Sequence, residues 1–196
     1  MLRNIIFSLL LLLCCLSDLP AADYPVKYLG IEHGLSNNSV TSIFQDKKGF
    51  MWFGTYDGLN RYDGYSFQVY RNRVGDSSSL IGNAVYTIAG DSRDNLWVGG
   101  QKGACVLDSL RKNFTSLKFI SADSNKEEWL RDDIHNIRIT PADIVLIGTN
   151  HRGLIVFDKN TRIGKQIALP GGSDANYDAI AIEIDQSTGF IWVFVT

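Results

Sequence analysis

Hydrophobic and polar residues alternate in short runs along most of the chain, and a polar or glycine-containing turn follows each run. One run reads VTSIFQD from Val40, and similar runs begin at Val85, Ile134 and Ala179. Strict alternation is typical of a β-strand with one buried face, and the 3.6-residue period of an amphipathic helix is missing after residue 22. The pattern therefore predicts an all-β protein made of short strands.

A three-residue motif returns in each of these segments. It begins at Trp52, Trp97, Leu146 and Trp192, and its third position falls at 54, 99, 148 and 194, with spacings of 45, 49 and 46 residues. Each of the first three copies contains an alternating strand, a polar turn, the strand with the motif, a Gly-containing turn and two further strands. Four antiparallel strands in a repeat of about 45 residues are typical of a β-propeller blade.

We therefore predict a partial β-propeller of four-stranded antiparallel blades over residues 23–196, with about three and a half blades. The blades are expected at about 40–71, 85–120, 134–169 and 179–196, and a separate strand is expected at 26–31. The tryptophans should fill the gap between adjacent sheets, and the glycines should mark a bulge or a close backbone approach. The expected structural repeat positions are Trp52, Gly54, Trp97, Gly99, Gly148 and Trp192.

The first 22 residues differ from the rest. Arg3 precedes a run of 12 residues, Ile5 to Leu16, in which only Ser8 is polar, and small residues lead up to Ala22. The run is shorter than the ~20 residues that span a bilayer, so we predict a secretory signal peptide over 1–22 and a periplasmic domain. An uncleaved anchor is the alternative. A lipoprotein site at Cys14 or Cys15 is disfavoured because leucines precede them.

Composition narrows the function classes. The chain has 196 residues, a formal charge of −2 and 45% hydrophobic residues, as expected of a globular protein. Lys and Arg are scattered without a basic block, so no nucleic acid is expected as a partner. After the signal peptide no second apolar run predicts a membrane span. Cys105 is then the only cysteine left, and we interpret it as a buried structural residue.

Residues 33–67 resemble the two-component regulator propeller repeat. The matching features are GLS from Gly34, QD from Gln45 and GFMWFGT from Gly49, followed by DGLNRYDG from Asp57. The second repeat keeps NLWVG from Asn95. The third is looser because leucine replaces the tryptophan, and the fourth has phenylalanine in the glycine column. The resemblance covers about residues 26–196.

The resemblance implies the periplasmic sensor region of a hybrid two-component histidine kinase. Many such sensors respond to breakdown products of complex glycans, which implies a small oligosaccharide ligand here and a homodimer in a full-length sensor. The output modules of the family, including the kinase, are absent from this sequence. We therefore expect an N-terminal fragment that is not an enzyme.

Two other function classes stay open: a secreted propeller enzyme of the glycoside hydrolase or polysaccharide lyase type, and a protein-interaction scaffold. An enzyme would need clustered acid and base groups. The three histidines, His33, His135 and His151, have no second histidine at ligand spacing. We expect no catalytic residues, no metal site and no cofactor.

Several acidic groups are predicted to have structural or solvated positions. The aspartates that end the third strands are periodic, which favours a repeated turn role; they are Asp63, Asp108 and Asp158. The pairs Glu127-Glu128 and Asp132-Asp133 are expected on a solvated connection between blades. Asp91, Asp94 and Asn95 resemble a loose cation loop, but the remaining ligands of a calcium motif are missing.

Ligand contacts are expected in the loops on one face, near the propeller axis. These loops are the turn after the second strand and the connection before the first strand of each blade. Planar amides, charged groups and an aromatic ring suit carbohydrate recognition. The alternative is that these segments are only hairpin turns. The candidates are His33, Asn37, Asn38, Tyr56, Asp57, Gln101, Lys102, His151 and Arg152.

Overall fold

The computed structural model describes residues 25–158, 162–168, 178–185 and 187–196. The predicted signal peptide, with Cys14 and Cys15, lies outside these residues. The elements are the 3-10 helix Ile31–His33 and the strands β1 Val40–Gln45, β2 Met51–Thr55, β3 Gly58–Tyr62, β4 Phe67–Tyr70, β5 Val85–Gly90, β6 Leu96–Gly100, β7 Gly103–Leu107, β8 Phe114–Ser116, β9 Lys118–Ile120, β10 Glu127–Trp129, β11 Ile134–Ile139, β12 Val145–Thr149, β13 Gly153–Phe157, β14 Ile163–Gln166, β15 Ala179–Ile184 and β16 Ile191–Val195.

The strands form consecutive antiparallel blades. The first blade has the order β1-β2-β3-β4, the second β5-β6-β7-β8, and the third contains β11 to β14; β15 pairs with β16 as the start of a fourth. Tight turns join these short strands. Glycines with positive φ, such as Gly58 and Gly103, begin the third strands. This confirms the predicted all-β, partial propeller of four-stranded blades.

The fourth strand of the second repeat differs from the prediction. The second blade is predicted to run to residue 120, but the chain leaves this blade after Ser116. Strand β9 instead pairs in parallel with β14 of the third blade, and β10 adds to β9, so the third sheet has six strands. The reason lies at Leu117, whose side chain is buried. Its backbone N–H donates to the Ala104 carbonyl, and its own carbonyl accepts the Leu130 N–H. The predicted limit of the second blade at residue 120 therefore includes a strand of the next sheet.

The predicted strand at 26–31 is not formed. Residues 25–30 pair with no described strand, and residues 31–33 form the 3-10 helix. Val26 and Tyr28 are largely exposed. A strand needs a neighbour to satisfy its backbone hydrogen bonds, and this segment has none among the described residues.

The core lies between neighbouring blades. Trp52 of the first blade packs with Leu96 and Leu107 of the second, and Trp97 of the second packs with Ile147 and Phe157 of the third. A smaller cluster joins the third blade to β15. Cys105 is buried in the first of these clusters, and burial raises the pKa of its thiol to about 12, as expected of a structural cysteine. Unlike the two buried tryptophans, Trp192 is exposed.

The glycine column sets the distance between blades. A Cβ at Gly54 would lie 2.8 Å from Val85 Cγ1, and a Cβ at Gly99 would lie 2.6 Å from Ile134 Cγ2. Val85 and Ile134 are each the first residue of the next blade's inner strand. Gly148 meets the corresponding residue, Ala179, in the same way. Glycine is therefore required because the next blade approaches closely, as the sequence predicted.

We expect Gly99→Ala to lower the free energy of unfolding by about 1–3 kcal/mol, because the new methyl group overpacks the contact with Ile134. Denaturant unfolding followed by circular dichroism measures the change. The exposed Ser77→Ala is the control and should change stability by less than about 0.5 kcal/mol. Unchanged stability of the Gly99 variant would contradict this explanation of the column.

Candidate functional site

A β-bulge occurs near the start of every inner strand. The register between the inner and second strands shifts between Val40 and Ser42, and it shifts in the same place in β5, β11 and β15. The residue that the register passes over is Thr41, Tyr86 or His135 in the first three blades. A bulge leaves one residue unpaired and re-aims its side chain. The propeller thus presents one such residue per blade at the same edge.

Two of these residues form a continuous row of rings with Tyr56. The rings of Tyr86 and His135 stack with centroids 4.9 Å apart and planes 2° apart, and Tyr56 meets Tyr86 edge-on at 6.1 Å. Tyr56 and His135 are exposed and Tyr86 is half-buried. We call Tyr56, Tyr86 and His135 the aromatic row. It crosses the first three blades at the edge where the inner strands begin.

Acidic and basic side chains lie at the third-blade end of the row. Burial raises the pKa of Tyr86, and the charge of Asp133 and the neighbouring Tyr56 raise it further, so its hydroxyl stays protonated at neutral pH. His151 lies beside Asp178, with Nδ1 3.4 Å from Oδ1, and its backbone N–H donates to the same oxygen. The row is therefore flanked by groups that can donate and accept hydrogen bonds.

Arg152 has a structural position. Its Nε lies 3.0 Å from Asp132 Oδ2 and its Nη1 lies 3.2 Å from Glu128 Oε2, while the guanidinium lies 5.2 Å from the centre of the Phe119 ring. Burial raises the pKa of Asp132, and the charge of Arg152 opposes that shift. The side chain connects the turn after β12 to β10 and to the connection before β11, which holds Asp133 in place.

The other predicted residues are spread over separate contacts. Asp57 forms a two-pronged ion pair with Arg71, at 2.9 and 3.3 Å. The ring nitrogen Nδ1 of His33 accepts a hydrogen bond from the Gly30 N–H at 3.2 Å. The side-chain oxygens of Asn37 and Asn38 accept backbone N–H groups of their own connection. The exposed pair in the turn after β6 is Gln101 and Lys102.

Of the nine predicted residues, the structure thus places only Tyr56 in the aromatic row. Tyr86 was missed, and His135 was considered only as a possible metal or catalytic group. The available signal was their position: each directly follows the first apolar residue of an inner strand, where the bulge occurs.

Asp91 and Asn95, which resemble part of a cation loop in the sequence, form a cap in the structure. Asp91 Oδ1 accepts the backbone N–H groups of Arg93 and Asn95, and Oδ2 accepts the Trp97 indole N–H at 3.1 Å. Asp46 bonds the Trp52 indole in the same way at 2.8 Å. In the described part of the chain, no group of three His, Cys, Asp or Glu side chains is arranged to hold a metal ion.

Aspartates that end the third strands also cap turns. Asp63 accepts the backbone N–H groups of Tyr65 and Ser66, and Asp108 accepts those of Lys112 and Asn113. Backbone hydrogen bonds lower the pKa of Asp63; at Asp108 burial opposes them but the pKa is still lowered. The predicted turn role is confirmed for these two residues. The turn after Asp158 lies outside the described residues.

The acidic pair 127–128 lies on strand β10, not on a solvated connection. Glu127 Oε1 is 2.5 Å from Lys118 Nζ, across the β9–β10 pair, and Glu128 pairs with Arg152. Asp132 is largely buried by the same arginine. These groups hold the added strands in place, which the sequence interpretation did not include.

Comparison with known proteins agrees with the repeat pattern. A family model described as two component regulator propeller matches residues 34–57 and 79–102. Both segments run from the connection before the inner strand through the turn after the second strand. The chain carries two-component regulator propeller repeats.

A curated relative shares one of these repeats. "Histidine kinase P4" of Formosa agariphila is 55% identical over 47 residues, which are 24% of this chain and 3% of that protein. The propeller repeat region described here therefore corresponds to a small part of its relative.

Solved structures share the fold. The extracellular domain of the hybrid two component system BT4673 from B. thetaiotaomicron superposes with a TM-score of 0.66 at 22% identity, over 87% of this chain and 24% of that chain. The extracellular domain of the hybrid two component system BT3049 from the same organism gives a TM-score of 0.53 at 25% identity, over 87% of this chain and 29% of that one. Among the residues that the structure describes, no helix of these repeats is long and apolar enough to cross a membrane.

Proposed function

We propose that this chain is a periplasmic, non-enzymatic sensor region of a hybrid two-component system, and that its aromatic row binds an oligosaccharide. The matching repeats and the extracellular domains with the same fold support the sensor role. The ligand and the signalling output are our inference. Dimerisation belongs to the same inference, since a receptor of this kind would transmit the signal through paired copies.

The aromatic row is the observation that carries the proposal. Exposed, rigid rings offer apolar faces to the C–H groups of a sugar ring, and polar groups beside them fix its hydroxyls. In this chain β-bulges hold two of the rings, so the surface forms without a ligand. Asp133, whose charge acts on Tyr86, supplies a polar group beside the row, and the His151–Asp178 pair supplies others between the third and fourth blades.

Tyr86→Ala tests the proposal because it removes the middle ring. A panel of neutral oligosaccharides is titrated against the purified chain by calorimetry, and the tightest ligand is then measured with the variant. We expect the variant to bind at least tenfold more weakly, which corresponds to a loss of about 1.4 kcal/mol or more in the free energy of binding. The free energy of unfolding should change by less than the free energy of binding, because Tyr86 is only half-buried.

Tyr65→Ala is the matched control, because Tyr65 is an exposed tyrosine in the turn between β3 and β4. It should bind as the parent chain does. Equal binding by the Tyr86 variant would overturn the role of the aromatic row. Release of reducing ends from the same panel would overturn the non-enzymatic assignment.

A further inference from the structure

We propose a second binding site, for an anionic oligosaccharide that carries carboxylate or sulfate groups, in a cleft between the outer edges of the first and second blades. The cleft shares no lining residue with the aromatic row and has a different ligand chemistry, so it goes beyond the sensor function proposed above. We call it the rim cleft. Its cavity has a volume of about 410 Å³, within the range of small-molecule sites.

The charge of the lining carries the proposal. Strand β4, the connection 71–80 and the turn before β8 form the walls, and no Asp or Glu side chain lines them. The polar side chains that line the cleft are four cations, three hydroxyls and one amide: Arg71, Arg73, Arg111, Lys112, Ser78, Ser79, Tyr70 and Gln68. A pocket with cations and no carboxylate attracts anions, and Arg offers a planar pair of donors that matches carboxylate or sulfate oxygens.

Three of the cations have acidic partners outside the lining. Arg71 pairs with Asp57 and Arg73 with Asp76, but both arginines are well exposed, so these pairs stabilise little and can be exchanged for a ligand. Lys112 has no carboxylate within 4.0 Å among the described residues. Its ammonium group is therefore the cation most available to a ligand.

The walls of the rim cleft are fixed without a ligand. The Asn72 side-chain amide donates to the Leu80 carbonyl at 2.7 Å, and the Arg73 N–H donates to Ser79 Oγ at 2.9 Å. The Phe114 N–H donates to the Ser78 carbonyl, which joins the connection to β8. Tyr70, in the opposite wall, has a buried hydroxyl with no hydrogen-bond partner in the described structure. Binding would therefore meet a preformed site, because these hydrogen bonds hold its walls before a ligand arrives.

A second cavity extends the rim cleft towards an aromatic ring. It has a volume of about 460 Å³, shares Arg73, Ser79 and Leu80 with the first, and is also lined by Trp129, Arg131 and Asp76, whose carboxylate pairs with Arg73. Trp129 is half exposed, and the cations of Lys118 and Arg131 lie 4.6 and 6.0 Å from its ring centre. Cations next to a tryptophan suit a sugar that carries acidic groups, rather than an inorganic ion alone.

The test uses three probes with the purified chain: the trisaccharide of galacturonic acid, a neutral galactose trisaccharide and sodium sulfate. Calorimetry at low ionic strength should show the acidic trisaccharide binding at least tenfold more tightly than the other two. Binding should weaken at high salt because exposed charges are screened. Tighter or equal binding of sulfate would indicate an inorganic-anion site only and overturn the proposal, as would no binding of any probe.

Lys112→Gln and the double variant Arg71→Gln/Arg73→Gln locate the site. Each should weaken binding of the acidic trisaccharide at least fivefold, because it removes cations that line the cleft. These side chains are exposed, so their replacement leaves the fold intact. Lys126→Gln is the control with the same change of charge; Lys126 is exposed and does not line the cleft. An equal loss in the control would show a general charge effect and contradict the rim cleft.

Tyr86→Ala separates the two sites. It should leave binding at the rim cleft unchanged, because Tyr86 does not line either cavity. If it abolishes binding of the acidic trisaccharide, the ligand occupies the aromatic row and the rim cleft is not its site. The Tyr86→Ala experiment therefore distinguishes failure of binding at the aromatic row from failure of binding at the rim cleft.

Discussion

Replacing Trp97 with alanine is expected to lower the free energy of unfolding by about 3–5 kcal/mol. The side chain is 1% exposed and packs between the second and third blades, with the Phe157 ring 5.7 Å away. Its indole N–H also donates to Asp91, so the variant loses both packing and a buried hydrogen bond. Chemical denaturation followed by circular dichroism gives the difference.

Trp192→Ala is the matched control at the same repeat position. Trp192 is 66% exposed, and no described strand covers it. Its replacement should therefore change stability by less than about 1 kcal/mol. Similar losses in both variants would show that the tryptophan acts within its own blade, and would contradict the packing between blades as its role.

Arg111→Met is expected to lower the free energy of unfolding by about 3–5 kcal/mol, because it leaves a buried carboxylate without its cation. Arg111 Nη2 lies 3.2 Å from Asp46 Oδ2 and 3.1 Å from Asp94 Oδ1, with side chains 7% and 1% exposed for Arg111 and Asp46. The pair joins the second blade to the first, and the guanidinium also lies 5.2 Å from the Trp52 ring centre.

The double variant Arg111→Met/Asp46→Asn tests the electrostatic reason. Neutralising the stranded carboxylate should recover part of the loss, and the thermodynamic cycle measures the coupling. Arg138→Met, on an exposed arginine, should be nearly neutral. Asp46→Asn alone also loses an acceptor of the Trp52 indole or backbone N–H groups, so the coupling in the cycle is the criterion. Additive losses would show that packing of the arginine accounts for its effect instead.

Much of the fold could be predicted because the repeat encodes it locally. Alternation, turn residues and the glycine column all depend on neighbours in sequence or on a contact that returns in every blade. The Asp–Trp cap was also visible: Asp46 and Asp91 each precede their tryptophan by six residues. In the third repeat the positions of the aspartate and the tryptophan hold Thr140 and Leu146. The two residues of the cap are therefore replaced together, as expected when neither functions without the other.

The candidate sites depend on features that no local pattern contains. A bulge is a shift of one residue in strand pairing, and it decides where Tyr86 and His135 lie without changing the alternation. The cations of the rim cleft come from residues 71–73 and 111–112, so the sequence shows scattered charges where the fold makes a cluster. The pairing of β9 with the third blade is likewise a long-range choice, since strand propensity does not specify the sheet.

The added strands have a consequence for how such a chain can change in evolution. Propellers grow and shrink by duplication or deletion of one repeat at a time, which requires that each repeat be a separable unit. Here β9 and β10 belong to the second repeat by sequence and to the third by pairing. Deleting the second repeat would leave β14 without its neighbour β9. Deleting the third would leave β9 without β14 and expose Phe119, which is now fully buried. At this junction the smallest unit that can be exchanged is therefore the pair of repeats.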